Sequence, residues 1–393
     1  MPNLPHIVLR PGREKSVRNR HPWVFSGAVE HEPDDLEKGQ VVYVDDAEGN
    51  VLGSGTYNAD SQIRVRLFTF ADEEIDATWF SRKVQNAEQW RKQLLPPNTN
   101  AFRVLSGEAD GVPGLIVDRY GDGLVVTLAT AGADFLRQPI IDGLVTGCRP
   151  EWILERSSGG YRREENVPPR VAEMYGEVPE DPVQIVENGL KFLVDIRAGQ
   201  KTGFFLDQRA ARYAAMKMAG GRTVLNAFGY TGGFGVYAKA GDAGRTVTVD
   251  LNRAALDLAA KNHELNQQRC GEDDFVCMDV FDFLRVDETR FDMIILDPPA
   301  FAKSKAALNR ATRGYKDINL LAMRRLPPGG LLFTFSCSGH VNLELHRKVL
   351  FGAALDAGRN VQILRIMGQE IDHPINVYHP EGEYLTGFIC RVE

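Results

Sequence analysis

From about residue 195 onward, short apolar runs of strand-forming residues alternate with stretches of helical periodicity, and no other feature narrows the fold as much. Residues 223–228, 246–249, 274–277, 291–296 and 331–335 read as buried strands, with helical stretches such as 253–266 between them. Strands buried on both faces and linked by helices form a parallel sheet, so the expectation is a doubly wound, Rossmann-like α/β domain. The last apolar runs, 361–367 and 385–392, read as a closing pair of strands. Ligands of such sheets bind beyond the carboxyl ends of the strands, so the residues just after each run are where chemistry is expected.

After the first run comes Gly229-Tyr230-Thr231-Gly232-Gly233-Phe234-Gly235, opening a helical stretch. Glycines there let a ligand approach the backbone beside a helix N-terminus. The spacing is neither GxGxxG nor a P-loop, so the loop is not shaped for a pyrophosphate or triphosphate. Asn226, Gly229, Thr231 and Gly232 are the candidate contacts from this segment. Asp250 ends the second strand about 20 residues on, where a carboxylate accepts both hydroxyls of a ribose. Asp279 ends the third, placed to accept from an adenine amino group, with Phe281 beside it for apolar packing. Either Asp alone is more often a helix N-cap. Together with the glycine loop they imply an adenosine without phosphates, which points to S-adenosylmethionine.

Asp297-Pro298-Pro299-Ala300-Phe301 and Ser336-Cys337-Ser338 each follow a strand run directly, so an acid and a thiol are expected over one crevice. Carbon 5 of cytosine is a poor nucleophile, and a thiolate adding at carbon 6 makes it enamine-like. Cys337 is the candidate nucleophile; the bland alternative is a small buried hydrophobe. Asp297 beside the pyrimidine would donate at N3 when protonated or bind the amino group when ionised. Pro298 and Pro299 stiffen the loop, and Phe301 is placed to stack on the base. A related Asp-Pro-Pro-aromatic signature serves methylation of exocyclic amino groups without a cysteine, so the tetrapeptide leaves the methylated atom open. Lys303 and Lys305 are either phosphate contacts or surface lysines.

The N-terminal part reads differently. Val41–Val44 and the alternating Ile63-Arg64-Val65-Arg66-Leu67-Phe68 suggest a small β-barrel over 1–75, with Ile63, Val65 and Leu67 on one face. Arg10, Arg13, Lys15, Arg18 and Arg20 interleave with His21, Trp23 and Phe25, a mixture suited to phosphate contact and base stacking. A helix carrying Phe80, Val84, Ala87 and Leu94 at helical spacing is stopped by Pro96-Pro97. With three strand runs and a helix near 132–147 it makes 76–190 a mixed α/β module, and 191–393 is the third part. The run Arg162-Arg163-Glu164-Glu165 reads as a solvated loop.

The hydrophobic share of 43% and charged share of 25% are globular averages, and no apolar run has the length of a membrane helix. With no apolar signal core at the start, the expected location is cytoplasmic. Five cysteines without CxxC spacing or a Cys/His cluster argue against a disulfide framework or a zinc site, so no metal is expected. A net charge of −7 means that any RNA-binding surface must be local.

These motifs resemble, over nearly the whole chain, the bacterial ribosomal RNA large-subunit methyltransferase I family. The carriers are Leu9-Arg10-Pro11-Gly12-Arg13-Glu14-Lys15 with His21-Pro22-Trp23-Val24-Phe25-Ser26-Gly27-Ala28, then Gly199-Gln200-Lys201-Thr202-Gly203-Phe204-Phe205-Leu206-Asp207-Gln208-Arg209, Tyr230-Thr231-Gly232-Gly233-Phe234, Asp297-Pro298-Pro299 and Ser336-Cys337-Ser338. The resemblance implies an RNA-binding PUA domain, a family-specific α/β module, a class I methyltransferase domain and 5-methylcytosine formation in 23S RNA with Cys337 as nucleophile. It adds Phe204, Asp207 and Arg209 to the cofactor contacts, while the basic stretch itself supplies Arg13 and Arg18 as candidate RNA contacts. Pro299-Ala300 stands where other 5-methylcytosine RNA enzymes carry a second cysteine, which fits the one-cysteine type. Gly229 departs from the small polar residue expected before Tyr230. The expected partners are ribosomal RNA, 23S or a large-subunit precursor, and a second copy of the chain as a homodimer. The rival readings are a base N-methyltransferase with Cys337 inert and a non-catalytic RNA-binding ribosome-assembly factor.

Overall fold

Alternating side chains set the first sheet. Val65 and Leu67 are buried while Arg64 and Arg66 stay half-buried on the opposite face, as a strand with one core face requires. The computed structural model describes residues 4–301 and 307–393. Strands β1 (His6–Leu9), β2 (Trp23–Phe25), β3 (Val29–His31), β4 (Val41–Asp45), β5 (Val51–Tyr57) and β6 (Ile63–Thr69) form a six-stranded sheet in the order β2-β6-β5-β4-β1-β3. Its core is Ile7, Leu9, Val24, Val42, Val44, Val65 and Leu67. The basic segment places a short helix, α1 (Lys15–Arg18), just before β2.

Asp76 then caps helix α2 (Ala77–Leu94) by accepting from Trp79 N at 2.7 Å. Phe80, Val84 and Ala87 face the core as expected, but Leu94 does not: it is exposed, and the buried stripe ends on Arg91 instead. That guanidinium is held by Asp110 at 2.7 Å, so a paired charge takes the place expected of an apolar side chain. Strands β7 (Ala101–Ser106), β8 (Leu115–Tyr120), β9 (Gly123–Leu128), β10 (Ile153–Ser157) and β11 (Arg170–Tyr175) make a five-stranded sheet in the order β11-β10-β9-β8-β7. Helices α3 (Ala131–Phe135) and α4 (Arg137–Cys148) lie between β9 and β10 in sequence.

The run at 162–165 is not the solvated loop its charges suggest. It belongs to helix α5 (Gly160–Glu164) and its end, and both Arg162 and Glu165 are buried. Arg162 donates to the Pro168 carbonyl at 2.7 Å and to Asp134 at 3.0 Å, while Glu165 accepts from Asn58 at 2.9 Å, Ser61 at 3.0 Å and Arg66 at 2.9 Å. Burial alone would raise the Glu165 pKa; the Arg66 charge and these hydrogen bonds outweigh it and hold the carboxyl below its usual range. The first and last residues of the run are buried on partners outside it, which composition does not reveal.

Past β12 (Val183–Glu187) and β13 (Leu190–Val194), the chain enters the α/β sheet. Its strands are β14 (Thr223–Ala227), β15 (Arg245–Asp250), β16 (Phe275–Cys277), β17 (Met293–Leu296), β18 (Gly330–Ser336), β19 (Val361–Met367) and β20 (Thr386–Val392), in the order β16-β15-β14-β17-β18-β20-β19. Pairing is parallel through β18; β20 then runs antiparallel to both β18 and β19, the closing pair read from sequence. The helices are α6 (Arg209–Met218), α7 (Gly233–Ala240), α8 (Arg253–Leu265), α9 (Val280–Val286), α10 (Leu308–Arg325) and α11 (Leu343–Ala357). Two compact units result: residues 1–185, 194–206 and 371–382 form the first, and 186–193, 207–370 and 383–393 the second.

Candidate active site

Strand β14 lies between β15 and β17, so the order reverses there, and the carboxyl edge at that point is where a doubly wound sheet opens a crevice. The chain leaves β14 through two non-glycine residues at positive φ, Phe228 at 58° and Tyr230 at 47°, with Gly232 at 80° before α7. Strain of this kind clusters at functional sites. A Cβ on Gly229 would lie 2.4 Å from Thr248 Cγ2 and 2.7 Å from Asn226 Nδ2, so the backbone packs where a side chain would not fit. Under it, Asn226 is buried, and neither its Oδ1 nor its Nδ2 meets a hydrogen-bond partner among the described residues. Thr231 is buried, and its carbonyl accepts from Asn262 at 2.9 Å.

Asp250 accepts from Tyr230 N at 2.9 Å and Asn252 N at 2.9 Å, which fixes its carboxylate at the lip of the glycine loop. A carboxylate has lone pairs beyond these two, enough for a diol. Asp279 caps α9: one oxygen accepts from Phe281 N at 2.9 Å and Asp282 N at 3.1 Å. Glycine cradle, orphaned buried amide and anchored acid together fit an adenosyl group carried without phosphates.

The remaining cofactor candidates divide. Asp207 is buried and accepts from Tyr384 Oη at 2.7 Å. Arg209 is buried with Arg212 around Glu187, at 3.4 Å and 2.7 Å, an ion-pair cluster that Tyr237 completes by donating to Glu187 at 2.9 Å. Phe204 belongs to the first unit, where its N–H donates to Tyr120 Oη at 3.2 Å. Arg13 and Arg18 are exposed on that unit as well, and Arg18 reaches the buried Asp46 at 2.7 Å.

Strands β17 and β18 are parallel neighbours with Leu296 opposite Thr334, so Asp297 and, two positions beyond its level, Cys337 leave the same carboxyl edge. Cys337 Sγ lies 3.7 Å from the Pro298 carbonyl, a sulfur contact that lays the thiol against the Asp-Pro-Pro turn, and Cys337 is half-buried. None of the cysteines is in a disulfide, and no metal-holding group of His, Cys, Asp or Glu occurs among the described residues. Pro298 is buried and Pro299 exposed. Phe301 packs on Tyr315 with ring centroids 4.6 Å apart, flanked by Phe281 at 6.2 Å and Phe228 at 6.5 Å. Lys303 and Lys305 lie outside the described residues.

Two residues here escaped sequence reasoning. Gln208 Nε2 donates to Asp297 Oδ1 at 2.9 Å and so orients the carboxylate from α6's entry. It stands within the quoted 199–209 segment, where its charged neighbours drew the attention. Tyr315 of α10 is fully buried, and its Oη accepts from Phe301 N at 3.5 Å. Burial pushes this phenol's pKa up, and the nearby Cys337 and Asp297 add to the rise. Its helical spacing with Ala311, Ile318 and Ala322 disguises it as one more core residue.

Comparison with known proteins agrees with this geometry. A family model described as S-adenosylmethionine-dependent methyltransferase matches residues 143–343, and a PUA-like domain model matches residues 7–70. A Ribosomal RNA large subunit methyltransferase I from Serratia proteamaculans is 45% identical over 392 residues, covering 98% of this chain and 99% of that one. The chain belongs to that family. The protein of the same name from Yersinia pestis bv. Antiqua is 44% identical with the same coverage. A solved structure from Streptococcus mutans, described as a SAM-dependent methyltransferase, shares the fold with a TM-score of 0.83 at 24% identity, covering 99% of this chain and 100% of that one. The cofactor is therefore S-adenosylmethionine, and the Rossmann-like domain with its PUA-like partner is the architecture read from sequence. No described helix is long and apolar enough to cross a membrane.

Proposed function

We propose that this enzyme methylates carbon 5 of a cytosine in 23S ribosomal RNA through a covalent adduct between Cys337 and carbon 6. The observation that carries the reading is the half-buried Cys337 thiol laid against the Pro298 carbonyl, beside the Gln208-oriented Asp297. Asn226, the glycine loop and Asp250 would hold the cofactor, which supplies an electrophilic methyl group on a sulfonium when bound. Cys337 as thiolate gives its electron pair to carbon 6, and the ring's 5,6 π electrons become available at carbon 5. Asp297, oriented by Gln208, would act as the protonated acid, donating to N3 of the base and so stabilising the electron-rich ring. Once carbon 5 has been alkylated, loss of its proton returns an electron pair to the ring. The carbon–sulfur bond then breaks and Cys337 leaves as thiolate.

The test is Cys337→Ala assayed with tritiated cofactor on 23S RNA from cells lacking the enzyme, with mass mapping of the product base. Removing a covalent nucleophile costs roughly 10⁴-fold or more in turnover. Near-normal transfer, or methyl on an exocyclic nitrogen, refutes the adduct and favours the N-methylation reading. Wild-type protein should also form a denaturation-resistant complex with RNA carrying 5-fluorocytosine, because fluorine cannot leave as a proton.

A further inference from the structure

The segment Ile371–Gly382 lies in sequence between β19 and β20 of the second unit's sheet, yet it is part of the first unit. Two anchors hold this arm. At its start Asp372 is buried: its carbonyl accepts from Arg91 Nε at 3.2 Å, and its carboxylate accepts from Arg103 N at 2.9 Å. At its end the buried His379 sets its ring 4.6 Å from Trp23 at an interplanar angle of 70°, with His21 5.9 Å away. Glu381 closes this end, 3.5 Å from His21 Nε2.

Between the anchors the chain turns tightly, with His379 N donating to the Asn376 carbonyl at 2.8 Å and Tyr378 N to Asn376 Oδ1 at 2.9 Å. The turn presents apolar side chains to solvent: Val377 is 85% exposed and Tyr378 49%. Strand β2, whose Trp23 meets His379 of the arm, carries exposed aromatic surface of its own. Trp23 and Phe25 share a strand face, 6.2 Å apart, and Phe25 is 50% exposed. Next to them, His21 N bonds to the Ser16 carbonyl of α1 at 3.0 Å, which joins the aromatic row to exposed Arg13, Lys15 and Arg20.

We propose that the arm and β2 together form one face for single-stranded RNA, on which Phe25 and Tyr378 stack bases while the α1 cations follow the backbone. The proposal rests on the reading of the substrate as RNA and adds that a segment from the far end of the sequence completes the grip. Rings held at an anchored turn and on a strand lose little freedom on binding, and a stack accepts any base. Two acids stand at the aromatic row: Glu108 accepts from Trp23 Nε1 at 2.9 Å and is paired with Arg66 at 3.1 Å, while Glu381 lies 3.5 Å from His21 Nε2.

The experiment uses the full chain and a fluorescein-labelled single-stranded 12-nucleotide RNA, followed by anisotropy across a salt series. Tyr378→Ala and Phe25→Ala should each weaken binding roughly 5- to 100-fold, the range of one lost base stack, with an unchanged salt slope. Arg13→Ala should instead lower the slope by about 0.7. Tyr378→Phe keeps the ring and should keep the affinity. The urea unfolding midpoint followed through Trp79, Trp90 and Trp152, all in the first unit, should be the same in all variants, so a misfolded variant is recognisable. Affinity within twofold of wild type for both alanine variants overturns the proposal, whatever the fate of the Cys337 chemistry. So does a loss confined to ribonucleoprotein particles, which would make the face a protein-docking surface.

Discussion

His346 of α11 is fully buried beneath the active site: Nδ1 lies 3.0 Å from Thr386 Oγ1, and its ring stands 6.3 Å from Tyr315 and 4.9 Å from Phe388. Burial pushes its pKa down to about 4, and burial does the same to His263 of α8, also to about 4. Both imidazoles are thus neutral when folded, while the unfolded chain takes up protons below about 6.5. Stability is fully present above that value and declines as pH falls toward 4, where the folded groups titrate as well. Each pH step within this window costs about 1.4 kcal/mol per imidazole, so lowering the pH from 7.5 to 5.0 costs about 2 kcal/mol for each and about 4 kcal/mol for the pair. His346→Leu removes one of the two. It also loses the bond to Thr386, but that loss is equal at both pH values and cancels from the difference. Pulse proteolysis in urea, scored on fragments of the second unit at pH 7.5 and 5.0, should show the variant losing about 2 kcal/mol less than wild type over this interval. Equal losses would refute the assignment of His346 as a buried neutral imidazole. Because Tyr315 packs near it, activity below pH 6 should then be limited by the fold as much as by the chemistry.

Tyr315→Phe removes only the hydroxyl that receives Phe301 N. That donor is half-buried and the bond is long, so its loss costs about 0.5 to 1.5 kcal/mol in how the Phe301 loop is held, and kcat should fall roughly 2- to 10-fold with cofactor affinity unchanged; an unchanged kcat would remove Tyr315 from the site. Glu165→Gln removes one of the two carboxylates paired with Arg66, Glu108 remaining at 3.1 Å, and should destabilise the first unit by about 1.5 kcal/mol, read by urea unfolding followed through tryptophan fluorescence. With its folded pKa below the usual carboxylate range, Glu165 lends stability that is held above that range and lost as pH falls through the lower folded value; the variant should lack this acid limb.

The α/β sheet was legible because each buried strand is a run of apolar residues and each helix has its own period. Only the ends moved: the stretch read from Phe291 pairs from Met293, Phe291 being a core residue just ahead of the strand. The exit of Asp297 and Cys337 from one edge was legible for the same reason, since parallel neighbours share a carboxyl edge. Charge burial was not legible. Arg91, Arg162 and Glu165 look like solvent residues until their partners, distant in sequence, are in place. Gln208 and Tyr315 were hidden for a related reason, because what each does depends on a loop that another part of the chain brings to it.

The arm at 371–382 also bears on how the protein is made. Synthesis runs from the N-terminus, so the barrel emerges and can collapse long before the last piece of its own unit has been translated. Until then Trp23 lacks its His379 neighbour, and Arg91 and the Arg103 amide lack the Asp372 acceptors. If the face proposed above grips RNA, a nascent chain stalled anywhere before residue 371 carries that grip unfinished.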